Sequence, residues 1–308
     1  MKIVVTGGAG FIASHIVDAY IADGHEVHIF DDFSTGQEAN VNANAIVHRL
    51  DIAEPDAVKL VANIKPDVLN HHAAQMDVRH SVADPAFDAR VNIIGFVNLL
   101  QGCAAAGVKK VIFASSGGAV YGDGEPIPAA EDHPTEPLSP YGVSKRTGEL
   151  YLGYYHVAFA LPYVALRYAN VYGPRQSSKG EAGVVAIFID RLLSGNPPII
   201  NGDGKQTRDY VYVGDVVAAN LAALRTPFVG AVNIGTGQET DVVTICRFLR
   251  EGVGSSIEAT HGPAKPGEQR RSCLAVGFAA KVLGWRPKTP IERGLQETIA
   301  SWRQARGQ

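Results

Sequence analysis

Cysteine is scarce in this sequence: Cys103, Cys246 and Cys273 are the only three in 308 residues. They are odd in number, far apart and in no metal-ligand spacing, which argues against a disulfide framework and fits ordinary packing in a reducing compartment. Charge is sparse too. Charged residues make up 19% and the formal net charge is −3, so neither disorder nor a nucleic-acid-binding surface is expected. No uninterrupted apolar run reaches the ~18 residues of a membrane helix, and Gly7, Gly8 and Gly10 break the apolar N-terminus after a single Lys2. Internal repeats and low-complexity segments are also missing. These absences leave a cytoplasmic protein that works on a small molecule, with no nucleic-acid or membrane partner.

What is present is an alternation. Short β-branched runs at 2–6, 26–30, 45–48, 67–70, 110–114 and 163–167 are separated by helical patterns at roughly 10–22, 54–63, 86–106 and 140–158. That rhythm predicts an α/β fold with a doubly wound parallel (Rossmann) sheet. After Tyr172-Gly-Pro-Arg175 it loosens into Gly/Pro-rich connections around 173–183, 195–206, 226–240 and 260–268, the mark of a smaller α/β lobe. We therefore expect a dinucleotide-binding domain over 1–172, with segments near 211–236 returning to its sheet, and a substrate lobe over most of 173–308.

The pattern Gly7-x-x-Gly10-x-x-Ala13 follows the first predicted strand and opens the first predicted helix. Glycines at the turn let the backbone approach a pyrophosphate, which the helix N-terminus stabilises; Ala13 is a small departure from the usual third glycine. Asp31 and Asp32 end the second strand, 18 and 19 residues after Ala13, where a carboxylate accepts hydrogen bonds from ribose hydroxyls and repels a 2′-phosphate. No arginine follows before Arg49, so NAD is expected rather than NADP. Asp51 and Ile52 after the third strand, and Ala73, Ala74 and Gln75 after the fourth, belong to the same expected surface. His71, His72, His80 and Asp77 contain no helical i,i+4 ligand pair, so no metal is expected.

Tyr141-Gly-Val-Ser-Lys145 places a phenol and an ammonium one helical turn apart. Residues four apart share a helix face, so Lys145 is positioned to favour the ionised form of Tyr141 and make it a base near neutral pH. Downstream of a dinucleotide fingerprint, the pair points to hydride chemistry on a nicotinamide.

Taken with Ser115-Ser-Gly-Gly-Ala-Val-Tyr-Gly122, Leu166-Arg-Tyr-Ala-Asn-Val-Tyr-Gly-Pro-Arg175, the 202–213 segment and Lys265-Pro-Gly-Glu268, these motifs resemble the extended short-chain dehydrogenase/reductase family, UDP-glucose (UDP-galactose) 4-epimerase type. The likeness spans nearly the whole chain. It implies that Tyr141 takes a proton from a sugar 4-hydroxyl while C4 gives hydride to a resident NAD, and that Lys145 binds the nicotinamide ribose. It also implies that Phe11, Ile12, Ser34, Gly36, Asn92, Ser115 and Tyr168 line the cofactor.

Members of that family usually carry Ser or Thr three residues before the Val of Val-Tyr-Gly, and here that position is Gly117. Ser116 is the first substitute for the catalytic hydroxyl and Ser115 the next. Gly118 and Ala119 stand where related 4,6-dehydratases place Asp-Glu, so elimination of water has no evident catalyst. For the nucleotide sugar the resemblance implies Ser116, Gly117, Tyr141, Asn170, Val184, Val185, Arg208, Lys265, Glu268 and Arg271, with Arg208 on the diphosphate. A helical core stripe is an equal reading of Val184 and Val185. Ser272 aligns with a residue that gates the sugar pocket, and its small size leaves space for an N-acetyl group. A homodimer through the helices at 86–106 and 141–158 is implied as well. The competing readings are a UDP-glucuronate epimerase or decarboxylase using Arg79 or Lys179, and a non-catalytic NAD-binding regulator.

Overall fold

The computed structural model describes residues 1–123, 125–179, 183–265 and 269–307. Its first half runs β1 (Lys2–Thr6), α1 (Phe11–Ala22), β2 (Glu26–Asp31), β3 (Ile46–Arg49), α2 (Asp56–Ile64), β4 (Val68–His71), α3 (Val78–Ala83), α4 (Pro85–Ala89), a π turn (Arg90–Ile94) and α5 (Gly95–Ala106). It continues β5 (Lys110–Ser116), α6 (Gly117–Val120), α7 (Pro140–Phe159), β6 (Tyr163–Tyr168), β7 (Asn170–Tyr172), α8 (Val184–Leu193), β8 (Ile199–Asn201), β9 (Thr207–Tyr212) and α9 (Val213–Arg225). The remainder is β10 (Gly230–Ile234), β11 (Glu239–Asp241), α10 (Val242–Val253), β12 (Thr260–Gly262), β13 (Arg271–Ser272), α11 (Gly277–Val282) and α12 (Ile291–Ala305).

Seven parallel strands form the main sheet in the order β10-β6-β5-β4-β1-β2-β3. The doubly wound sheet is therefore as the alternation predicts. Its central strands are apolar throughout because helices cover both faces: Ile3, Val5, Ile112 and Val164 pack on one side with α1 and α9, and Val4, Leu69, Phe113 and Ala165 on the other with α2, α5 and α7. Strand order reverses between β1 and β4, and the crevice beyond their C-terminal ends is where such sheets bind ligands. β10 lies beside β6 in this sheet. The small lobe has its own core, around Phe188, Ile189, Ile245 and Leu249, under a four-stranded sheet of β7, β9, β11 and β13 and the β8–β12 pair.

One expected helix is broken. The 86–106 pattern becomes α4, the π turn and α5, because Asp84 caps α4 through the Phe87 amide and Asn92, inside the π turn, hydrogen-bonds outward to the loop after β4. By length and the mean hydropathy of an 18-residue window, Pro85–Ala106 also passes the test for a membrane-crossing helix, although Asp88, Arg90 and Asn92 interrupt it. Its buried Asp88 and Asn92 and its core residues Phe96, Leu99 and Leu100 account for it as a packed helix of the large lobe.

Candidate active site

The site is built on the β1–α1 turn, the loops after β2 and β4, the end of β5 and the start of α7. Gly7 takes a positive φ of 69°, and a Cβ there would lie 2.8 Å from the Ala73 amide nitrogen. Only glycine lets the turn press this closely against the β4 loop. Gly10 caps α1 with no side chain, so the first-turn amides face outward unpaired by a cap. Asp31 is buried; its two oxygens accept from the Ala9 and Phe33 amides at 3.0 and 2.9 Å. A carboxylate has about four acceptor positions, so two remain for ribose hydroxyls. Burial raises its pKa above the ordinary value, against those amide bonds. Gly36 closes over it: a Cβ there would meet Asp31 Oδ1 at 2.7 Å. Asp32 instead caps its own turn through Ser34.

Across the crevice, Thr6 Oγ1 accepts from the His72 and Ala73 amides at 3.1 and 3.0 Å and pairs with His71 Nδ1 at 2.7 Å. Gln75 is held by Asn92, whose Oδ1 accepts from the Gln75 amide and whose Nδ2 donates to its carbonyl.

Helix α7 begins where it does because Ser139 caps it, accepting from the Gly142 amide at 3.1 Å, and Pro140 occupies the first turn. Its inward face carries Tyr141, Ser144, Lys145, Gly148 and Glu149, and Gly148 allows contact with the Phe113 ring. The Lys145 ammonium, 4% exposed, lies 5.1 Å from the Phe113 ring centre and 5.7 Å from that of Tyr141. No acceptor among the described residues takes its hydrogen bonds, which leaves them free for a ribose. Ser116, at the end of β5, lies beside the Tyr141 phenol and favours its ionised form.

Burial pushes Tyr141 up to about 12, Asp88 adds to the rise, and Ser116 opposes it. This is the state of the protein without its cofactor; the lowering of the phenol that the resemblance implies comes from Lys145 together with the cationic nicotinamide ring. The same burial brings Lys145 down to about 8, against the pull of Asp88. In the protein alone, desolvation is the largest influence on both groups.

The sequence profile of the NAD dependent epimerase/dehydratase family matches residues 3–235. The chain belongs to that family. A UDP-glucose 4-epimerase of Mycolicibacterium smegmatis is 43% identical over 309 residues, covering 98% of this chain and 99% of that protein. A UDP-glucose 4-epimerase of Thermotoga maritima, solved with UDP-glucose, is 44% identical with a TM-score of 0.97, covering 99% of each chain. The enzyme of the same name from Thermus thermophilus, solved as a complex with NAD, is 41% identical with a TM-score of 0.93, covering 99% of this chain and 100% of that one.

The residues fit the cofactor that the family's name requires: the capless α1 end for a pyrophosphate, Asp31 for a ribose, and the unengaged Lys145 ammonium for a second ribose. Phe11 and Ile12 lie half-buried at the start of α1, and Asp51, paired with Arg90, lies beside the buried Ile52. Three expected cofactor residues in this family member are engaged elsewhere. Ser115 donates to Glu149 at 2.7 Å, Asn92 braces the Gln75 loop and Asp88, and the Tyr168 hydroxyl is taken up by Asn220 and His72.

Gly117 has no room for a side chain, since a Cβ would lie 2.5 Å from Leu274. Asn170 is exposed beside Gly118. Arg208 sits on β9 in register with Ser272 and donates to the Thr207 carbonyl. Val185 turns into the small-lobe core at 1% exposed, the core-stripe reading, and leaves Val184 as the accessible one of the pair. Arg271 is ion-paired with Glu239 and Glu125, and Lys265 is exposed. Glu268 lies outside the described residues.

Reading the sequence missed Thr6, Ser81, Asp88, Ser144 and Glu149. Ser81 accepts from the Tyr141 amide at 3.2 Å. Glu149 is bound by Arg167 through two bonds, at 2.8 and 2.7 Å. Burial opposes its charge, but Arg167, Ser115 and Arg146 together hold its pKa below the ordinary value. The signal for Glu149 was present: it lies four residues after Lys145, on the same face.

Proposed function

We propose that this chain is a UDP-hexose 4-epimerase, an isomerase that interconverts UDP-galactose and UDP-glucose with NAD as a resident cofactor. The observation that carries the reading is the Tyr141/Lys145 pair on one face of α7, with the ammonium 5.7 Å from the phenol ring centre, beside Ser116 and next to a dinucleotide cradle ending in Asp31. NAD, when bound, supplies a hydride acceptor and donor for the sugar C4.

The chain's own residues handle protons and position. Tyr141 exchanges a proton with the sugar 4-hydroxyl, directly or across Ser116, and returns it when the other C4 face has been reduced. Lys145 keeps a positive charge beside the phenol and holds a ribose through its free donors. Arg208 and Asn170 carry the diphosphate and the sugar, a role that suits a guanidinium's bidentate geometry. Ser272, small and buried next to the Gly117–Leu274 packing, supports turnover of UDP-N-acetylhexosamines too.

A homodimer through the large-lobe helices is supported by an exposed apolar strip on α7 comprising Val143, Leu150, Tyr154 and Val157, with Ile94 alongside. Three free, buried thiols support a cytoplasmic setting.

The test is to incubate the purified protein separately with UDP-galactose, UDP-N-acetylglucosamine and UDP-glucuronate, without added reductant, and resolve the products. C4 epimers of the first are expected. Their absence from all three reactions sinks the reading.

A further inference from the structure

Asp88 is fully buried and accepts three hydrogen bonds: from Ser144 Oγ at 2.5 Å, Asn92 Nδ2 at 3.0 Å and Gln75 Nε2 at 3.1 Å. All three donors are neutral. A buried carboxylate is tolerated when its acceptor positions are filled and a cation lies near. The nearby cation is Lys145, the neighbour of Ser144 on α7.

The three bonds also join three pieces of the site. Ser144 lies between Tyr141 and Lys145 on the catalytic helix, Asn92 fixes the π turn, and Gln75 belongs to the loop facing the cofactor crevice. We propose that Asp88 is a positioning residue for the Tyr141/Lys145 pair, tying α7 to the β4 loop and supplying the negative charge that balances the Lys145 ammonium. This rests on the epimerase reading for its activity assay but not for its spectroscopic one.

The charged and polar groups around the pair come from each packed element. From α7 come Tyr141, Ser144 and Lys145; from the π turn, Asn92; from α3, Ser81. From β4 and its loop come His71 and His72, whose pKa values lie below the ordinary one through burial first and Lys145 second, together with Gln75 and, beyond it, Asp77. Among these, Asp88 is the negative group that acts on both members: it raises Lys145 and raises Tyr141. Asn at this position keeps most of the hydrogen bonds, since the Ser144 hydroxyl is able to turn and accept, and removes the charge.

Wild type, Asp88→Asn and Ser144→Ala, purified with their cofactor, separate charge from tether. With UDP-galactose, both limbs of the kcat–pH profile of Asp88→Asn are expected to move to lower pH by about one unit. Ser144→Ala keeps the charge and is expected to lose about three- to tenfold in kcat, with KM unchanged and the limbs in place. Titration of tyrosinate absorbance, taken as the difference from a Tyr141→Phe background, reads Tyr141 without substrate and is expected to fall in Asp88→Asn.

Unmoved limbs and an unmoved tyrosinate titration in a folded Asp88→Asn overturn the proposal, and so does wild-type kcat in Ser144→Ala. If Asp88→Asn does not fold, Asp88→Glu replaces it. Loss of kcat with retained limbs then supports the tether, and wild-type kcat refutes it. Wild type with no epimerase activity would defeat the functional reading while the tyrosinate titration still decides the role of Asp88.

Discussion

Removing the Ser116 hydroxyl tests which residue replaces the one missing at Gly117. In Ser116→Ala, Tyr141 loses the neighbouring hydroxyl that favours its ionised form, leaving burial and Asp88 unopposed. A hydrogen bond to a group that becomes charged is worth about 1.5–3 kcal/mol. At 1.36 kcal/mol per tenfold this predicts a fall in kcat of about 10- to 150-fold. KM for UDP-galactose should stay within about twofold, because the loss is felt when the proton moves rather than on binding.

The companion variant restores the family's usual hydroxyl one position later. Gly117→Ser places a Cβ 2.5 Å from a Leu274 methyl, overpacking that is expected to cost about 1–3 kcal/mol of stability. In the Ser116→Ala background it should not restore activity. The assay is steady-state formation of UDP-glucose from UDP-galactose, with thermal denaturation in parallel. Ser116→Ala with kcat within about threefold of wild type refutes the reasoning, as does recovery of activity by Gly117→Ser.

Lys145, driven by burial from 10.5 down to about 8, binds its proton less tightly folded than unfolded, so its contribution makes stability rise as pH goes from about 8 to about 10.5, by at most about 3 kcal/mol. Denaturant unfolding across that window should show this rise in wild type and its loss in Lys145→Met; identical pH slopes would contradict it. Glu149→Ala leaves Arg167, 4% exposed, without its buried partner, and is expected to cost about 3–5 kcal/mol of stability. A change of under about 1 kcal/mol in the denaturation free energy would show that Tyr121 and the Glu131 carbonyl, the other partners of Arg167, are sufficient.

Much of this protein is written locally. The strand and helix periods, the glycine turn before α1, the acidic end of β2 and the Tyr141/Lys145 spacing depend on neighbours within a few residues, so the parallel doubly wound sheet and the cofactor class were legible from the sequence, and the reaction type through the family resemblance that its motifs carry. The direction of the Tyr141 pKa was not, because it turns on desolvation and on Asp88, 53 residues earlier in the chain. The same holds for Ser115, Asn92 and Tyr168. Their polarity marked them as candidates, but which partner each would meet was decided by packing among β5, α7, the π turn and α9. A sequence specifies which groups carry a proton or a charge. How strongly each holds it depends on burial and on residues brought close from distant segments, and only the tertiary structure determines those.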